Sequence, residues 1–279
     1  MTSRLFTERT DWQGGAAGFD DICRRLDCTA AGVMPSNQQQ TCPDQRPQMR
    51  VAIVENTAVT HHGQVGVALH LAGARIDLFK PWRDGVLPNM ADHDALVVFG
   101  GEQNALDDAT HPYLPRLAAL MFETALTGTA VLGVCLGSQL LARGAGAQNH
   151  IGTTREFGWC AVDLTPAARR DPVLAHLPPR FDIFEWHSDT FTLPPNAVHL
   201  ATSPNAANQC FRIGRAGYGM QFHFEASRAV VADWSRTFPE LMYSLDPAWH
   251  TDHPTRAQTI GIGADAHGLA IAQAWVATI

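Results

Sequence analysis

Gly133-Val134-Cys135-Leu136-Gly137-Ser138-Gln139 places a thiol between two glycines, where an apolar run (TAVLGV, 129–134) meets a helix-like segment, QLLAR. A nucleophile at a strand-to-helix junction needs a sharp turn. Glycines on both sides keep side chains from colliding with the neighbouring strands. Such a turn lifts the Cys135 sulfur to the carboxyl edge of a sheet, where open α/β folds bind ligands. It also sets the sulfur at a helix amino terminus, whose partial positive charge favours a thiolate. The N–H of Leu136 then points toward an oxyanion. A buried structural cysteine is the plain alternative, because free thiols are often packed inside.

A second constellation decides against that alternative. Gln221-Phe222-His223-Phe224-Glu225 closes another apolar run, GYGMQFHF. Read as a strand, it puts His223 and Glu225 on one face and Phe222 and Phe224 in the core. A carboxylate beside an imidazole fixes its tautomer and supports the imidazolium, and an imidazolium next to a thiol supports the thiolate. Buried phenylalanines imply that the charges between them have a purpose. The double glycine Gly100-Gly101, just past the run DALVVFGG (94–101), offers a second oxyanion donor at the same sheet edge.

The elements that must position these groups follow from pattern. VAIV (51–54), RIDLF with the residue after it (75–80), DALVVF and TAVLGV read as buried strands. Helical segments lie between them at about 63–72 and in PYLPRLAALMFETAL, with Pro112 before and Gly128 after. That alternation predicts an α/β fold, a doubly wound and mostly parallel sheet with helices on both faces. From about residue 155 the rhythm turns to β. FGWCAVDLT, FDIFEW, AVHLATS, ANQCFRIG and GYGMQFHF predict a smaller antiparallel portion in the C-terminal half. A loop and a closing helix are expected within 256–279. Residues 1–48 lack periodicity and end in SNQQQTCPDQRPQ, so they read as a poorly ordered extension, with one domain over 49–279.

Composition narrows the chemistry. The 279 residues are 46% hydrophobic, which excludes wholesale disorder, and the net charge of −7 disfavours nucleic acid as a partner. Lys80 is the only lysine and sits in Phe79-Lys80-Pro81, so neither a Walker A loop nor a lysine Schiff base is expected. Cys23, Cys28 and Cys42 could begin a zinc site but lack a fourth ligand at finger spacing. His61-His62 and His250-x-x-His253 are the close histidine pairs among 13 histidines, without His-Glu-x-x-His, so no metal is expected. No apolar run is long enough to span a membrane and no signal-peptide core opens the chain, giving an expected cytoplasmic location.

The two motifs together resemble the class I glutamine amidotransferases with a Cys-His-Glu triad, a flavodoxin-like fold. The nucleophile motif is present as Gly133 to Gln139 and the second signature as Gln221 to Glu225. HPYLPRLAALMFETALTGTAVLGVCLGSQLLARGAGA (111–147), Glu156-Phe157-Gly158-Trp159 and Glu185-Trp186-His187-Ser188-Asp189 are similar too, and the likeness covers about 49–240. Within the family, the chain is most similar to free-standing proteins like the amidotransferase domain of GMP synthase, a subgroup that includes γ-glutamyl peptidases. The resemblance implies Cys135 as nucleophile, His223 as general base and acid, and Glu225 as the orienting carboxylate. It implies oxyanion N–H groups from Gly101 and Leu136. Gly100, Gln139 and the backbone of Trp186, His187 and Ser188 would line the substrate site. Phe224 replaces a usual proline, and Glu102 follows the double glycine where proline is common. Glu102 would place a carboxylate near the mouth of the site and alter which γ-substituent is accepted.

The implied reaction is cleavage of the γ-glutamyl amide of glutamine or a related compound through a Cys135 thioester, with no cofactor. Either a separate synthase subunit receives the ammonia, or the protein is a simple γ-glutamyl hydrolase. The alternatives are a γ-glutamyl peptidase without such a partner and a binding protein that has lost its chemistry.

Overall fold

The computed structural model of the protein describes residues 48–279, so the expected extension over 1–48 lies outside them apart from Gln48. The described residues form one compact unit. The first half alternates as read: β1 (Arg50–Val54), α1 (Gly63–Leu71), β2 (Arg75–Phe79), the single turn α2 (Pro81–Asp84), β3 (Ala95–Val98), α3 (Leu114–Leu126), β4 (Ala130–Val134) and α4 (Leu136–Gly144). The second half holds β5 (Asn149–His150), β6 (Glu156–Leu164), β7 (Arg180–His187), β8 (Thr190–Phe191), β9 (Val198–Thr202), β10 (Cys210–Ile213) and β11 (Gly217–Met220). Three helices close the chain: α5 (Arg228–Thr237), α6 (Pro239–Leu245) and α7 (Trp249–Val276).

Nine strands form one sheet in the order β2-β1-β3-β4-β11-β10-β9-β6-β7. From β2 to β11 the neighbours are parallel, and from β11 to β7 they are antiparallel. The sheet is doubly wound. Val51 and Ile53 of β1 pack in one core cluster with residues of α1, α5 and α7, while Ala52 and Val54 pack in the other with α3 and α4. Both faces are therefore covered, which is why these strands read as continuous apolar runs and not as alternating ones. No helix among the described residues is long and apolar enough to cross a membrane.

Two expectations need correction. The strand carrying the His-x-Glu pair ends at Met220, not at Phe224. Met220 pairs with Val134 and its carbonyl accepts from Cys135 N (2.8 Å), where β4 turns away and leaves no further partner. The chain then bends to β7, and His223 N donates to Phe184 O (2.8 Å). The closing helix begins at Trp249, not after Arg256, and runs through Pro254. Trp249 is fully buried against Phe157 and Trp159, with its indole N–H on Ser235 Oγ. Packing of that ring outweighs the hydrogen bond a mid-helix proline forfeits.

Candidate active site

Three first-half strands deliver residues to one carboxyl edge: Glu55 to Thr57 after β1, Phe99 to Gly101 after β3, and Cys135 after β4. Cys135 is one of two non-glycine residues with positive φ among those described (φ 52°, ψ −109°). This is the backbone of the first central position in a type II′ turn, normally glycine's. The flanking glycines have separate reasons. A Cβ on Gly137 would lie 2.0 Å from Val98 O of β3, the expected strand collision. One on Gly133 would lie 2.3 Å from Gly137 O, so there the obstacle is the first turn of α4 itself. Because Val98 O is central backbone and cannot move aside, Gly137→Ala is expected to destabilise the fold by about 3 kcal/mol, the upper end for overpacking. Urea unfolding of the variant checks this, and an unchanged midpoint would show that the elbow has slack.

Cys135, His223 and Glu225 come together. His223 Nδ1 lies 2.7 Å from Glu225 Oε1. The pairing is made by a turn, Ala226 N donating to His223 O, and not by strand alternation. Gln64 N at the start of α1 donates to Glu225 O (2.9 Å), an approach that Gly63 permits because a Cβ there would meet the same oxygen at 1.9 Å. Burial alone would lower the His223 imidazolium, but the Glu225 carboxylate and the Cys135 sulfur outweigh it and raise its pKa well above the ordinary value.

Gly100 sits against both Cys135 and His223. A Cβ placed there would be 3.4 Å from Cys135 Cβ, 3.5 Å from His223 Cε1 and 3.9 Å from Cys135 Sγ. Gly101, Leu136, Gln139, Trp186, His187 and Ser188 line the same cavity of about 570 Å³. The thiol lies 3.9 Å from Trp186 O. Gln139 is buried and donates to Gln221 Oε1 (3.0 Å), which locks its side chain in place. Glu102 lines the mouth, as its position after the double glycine predicts, and accepts from Thr57 Oγ1. The histidine pairs do not converge as metal sites. His61 goes to Asp233 and His62 to Glu55, while His250 stacks on Tyr243 and His253 on Trp159.

His187 presents backbone to the cavity while its ring turns inward, which sequence reasoning missed. Its Nε2 is 3.1 Å from Glu156 Oε2 and 3.2 Å from Glu185 Oε2, and its Nδ1 is 2.9 Å from Asp189 O. Glu156 Oε2 also accepts from Ser203 Oγ and Gln209 Nε2. Both Glu185 oxygens lack a hydrogen-bond donor among the described residues, although His187 lies within ion-pair range. Burial would lower the His187 pKa, but the two carboxylates raise it to about 10, which favours the imidazolium at neutral pH. Burial raises the Glu185 carboxyl. Glu156, Glu185 and His187 are also the one described grouping with ligand atoms close enough to hold a metal ion. With Ser203 and Gln209 already donating to Glu156, a proton on His187 supplies the cation that the two carboxylates require. The signal was present in the recurrence of Glu156 and Glu185-x-His187 in adjacent motifs, but register was needed to see it. Cross-strand pairing sets Glu156 opposite His187 and Gly158 opposite Glu185.

The chain belongs to the class I glutamine amidotransferase family. The family model described as glutamine amidotransferase class-I matches residues 68–231, a span containing Cys135, His223 and Glu225. The glutamine amidotransferase-like protein YfeJ of Salmonella typhimurium is 34% identical over 141 residues, covering 50% of this chain and 59% of that one. The match thus spans less than two thirds of YfeJ. A glutamine-hydrolyzing GMP synthase subunit of Sulfurisphaera tokodaii is 29% identical over 138 residues, 49% of this chain and 69% of that one. Among solved structures, the glutamine amidotransferase of Methylobacillus flagellatus superposes with a TM-score of 0.73 at 26% identity, covering 83% of this chain and 96% of that one.

Proposed function

We propose that the protein is a cysteine-dependent amidohydrolase cleaving the γ-glutamyl amide bond of glutamine or a γ-glutamyl compound. The observation that carries this reading is the 2.7 Å contact of His223 with Glu225 beside a cysteine whose backbone is held in a strained turn. In this reaction the Cys135 thiolate, paired with the protonated His223, adds to the γ-carbonyl, and the carbonyl oxygen becomes an oxyanion. The N–H groups of Gly101 and Leu136 receive that oxyanion. The C–N bond breaks as His223 returns the proton to the leaving amine, which leaves a γ-glutamyl thioester. Water then adds, giving a proton to the same imidazole, and the C–S bond breaks to release glutamate. Gln139 and the backbone from Trp186 to Ser188 hold the glutamyl end, with Gly100 giving the substrate room beside the sulfur.

Glu225 orients the imidazole without reacting, so its loss is expected to matter less than loss of the nucleophile. Glu225→Gln should lower kcat by about 10²- to 10³-fold. A Glu225→Gln enzyme with full activity beside an inactive Glu225→Ala would remove the electrostatic part of this role.

The test is glutamate release from glutamine and a series of γ-glutamyl amides by the purified wild type. Release establishes a hydrolase that acts alone, and none from any member by the folded protein refutes a free-standing hydrolase. A relative named as a synthase subunit supports a second reading, in which ammonia passes to a separate synthase. Glutaminase activity that rises only on adding such a synthase would favour it.

A further inference from the structure

The lining of the cavity extends beyond Cys135 and His223 to Trp234, Phe238 and Leu241. If His223 protonates the leaving amine, the substituent on that nitrogen must lie beside the imidazole. The surface there is aromatic. Trp234 of α5 packs edge-on to the His223 ring (centroids 5.3 Å, 79°), Trp186 packs edge-on to Trp234 (5.4 Å), and Phe238 packs against Trp186 (5.7 Å). Leu241 of α6 extends this wall and is 48% exposed. All four line the same cavity as Cys135 and His223.

The wall is held in position. Arg155 Nη2 donates to Ser244 O (2.8 Å) and Leu245 O (2.9 Å), the final carbonyls of α6. Those bonds tie the helix to the start of β6 and satisfy two carbonyls that a helix end leaves without partners. Glutamine has only ammonia to place on this side and would leave the wall against water. A cavity of about 570 Å³ with a mainly apolar lining is instead in the range that encloses a larger ligand.

We propose, building on the amidohydrolase reading, that this cavity selects γ-glutamyl amides whose amine carries an aromatic or branched aliphatic group, seated on Trp234, Trp186, Phe238 and Leu241.

The experiment compares kcat/KM for γ-glutamyl methylamide and γ-glutamyl phenethylamide. The two contain the same kind of alkyl amide bond, so their ratio reads the apolar contact and not the chemistry. Phenethylamide is expected to exceed methylamide by about ten- to hundredfold, the worth of burying a phenyl group. In Phe238→Ala/Leu241→Ala the ratio of phenethylamide to methylamide should fall by about tenfold. Leu241→Ala alone, at a half-exposed position where folding is least at risk, should lower it in the same direction.

Equal rates for the two amides, or a ratio the variants leave unaltered, would overturn the proposal while the hydrolase stands. No cleavage of any amide would refute the hydrolase itself and this inference with it. A flat series together with a dimer in light scattering that Leu241→Ala dissociates would assign the wall to a second copy of the chain.

Discussion

Cys135→Ser is expected to lower glutamate release by about 10⁴-fold or more, with little change in melting temperature. The substitution keeps the size of the side chain and the turn, so the hydrogen bond from Cys135 N to Met220 O and the start of α4 are retained. What is lost is the nucleophile. A serine hydroxyl is not ionised near neutral pH, and this site offers one imidazole to activate it. The residual rate reports what the oxyanion N–H groups and substrate positioning achieve alone. Single-turnover trapping with a glutamine-like electrophile should label the wild type at Cys135 and leave the variant unlabelled. A variant retaining even a tenth of the wild-type rate would place the chemistry at another residue.

His187→Leu carries the largest expected effect on stability. Removing the imidazolium leaves Glu156 and Glu185 as buried carboxylates without their cation, a change that costs about 3–5 kcal/mol in comparable buried pairs. For a domain of this size that corresponds to a drop in Tm of roughly 10 °C. The pH dependence identifies the cause. The His187 pKa is raised to about 10 in the folded protein, above the ordinary imidazole value. Its stabilisation is therefore complete below about pH 6.5 and is lost as the pH rises through about 10. Glu185, whose carboxyl is raised by burial, acts in the same direction, because deprotonation disfavours the folded state.

Wild-type stability should thus fall between neutral and pH 10. The deficit of His187→Leu should shrink at alkaline pH, where the wild type also loses the proton, and in acid, where the carboxylates are neutralised. Glu185→Gln in the His187→Leu background should recover part of the loss, since the Glu185 oxygens hold no hydrogen-bond donor to be left unpaired. A small, pH-independent deficit would refute the charged cluster. Stoichiometric metal whose removal reproduced the loss would put a metal ion where the proton is assigned.

Cys135 and the glycines around it were legible because a nucleophile elbow uses residues adjacent in sequence. The local backbone imposes the requirement, and the sequence meets it within seven residues. The parallel half of the sheet was legible for a related reason, since strands buried on both faces must be apolar throughout, as β1, β3 and β4 are. The His223–Glu225 pairing was also read correctly, yet its cause was not. A strand needs a neighbour to continue, and only the three-dimensional arrangement shows that β4 turns away after Val134 and leaves the chain to bend at Gln221.

By itself, the sequence determined the identity and order of the candidate site residues, because their types and short spacings are covalent facts. It also determined the switch from α/β to β near residue 155, because burial on two faces and on one leaves different periodicities. Tertiary structure alone decided what depends on residues far apart in the chain. The buried cluster needs Glu156 set opposite His187 by strand register, with Ser203 and Gln209 brought in from other segments. The aromatic wall needs Trp234 and Phe238 folded back over Trp186 from the far side of the triad, and α6 tied down by Arg155. No local pattern encodes those contacts, since their free energy is realised only when the chain closes on itself.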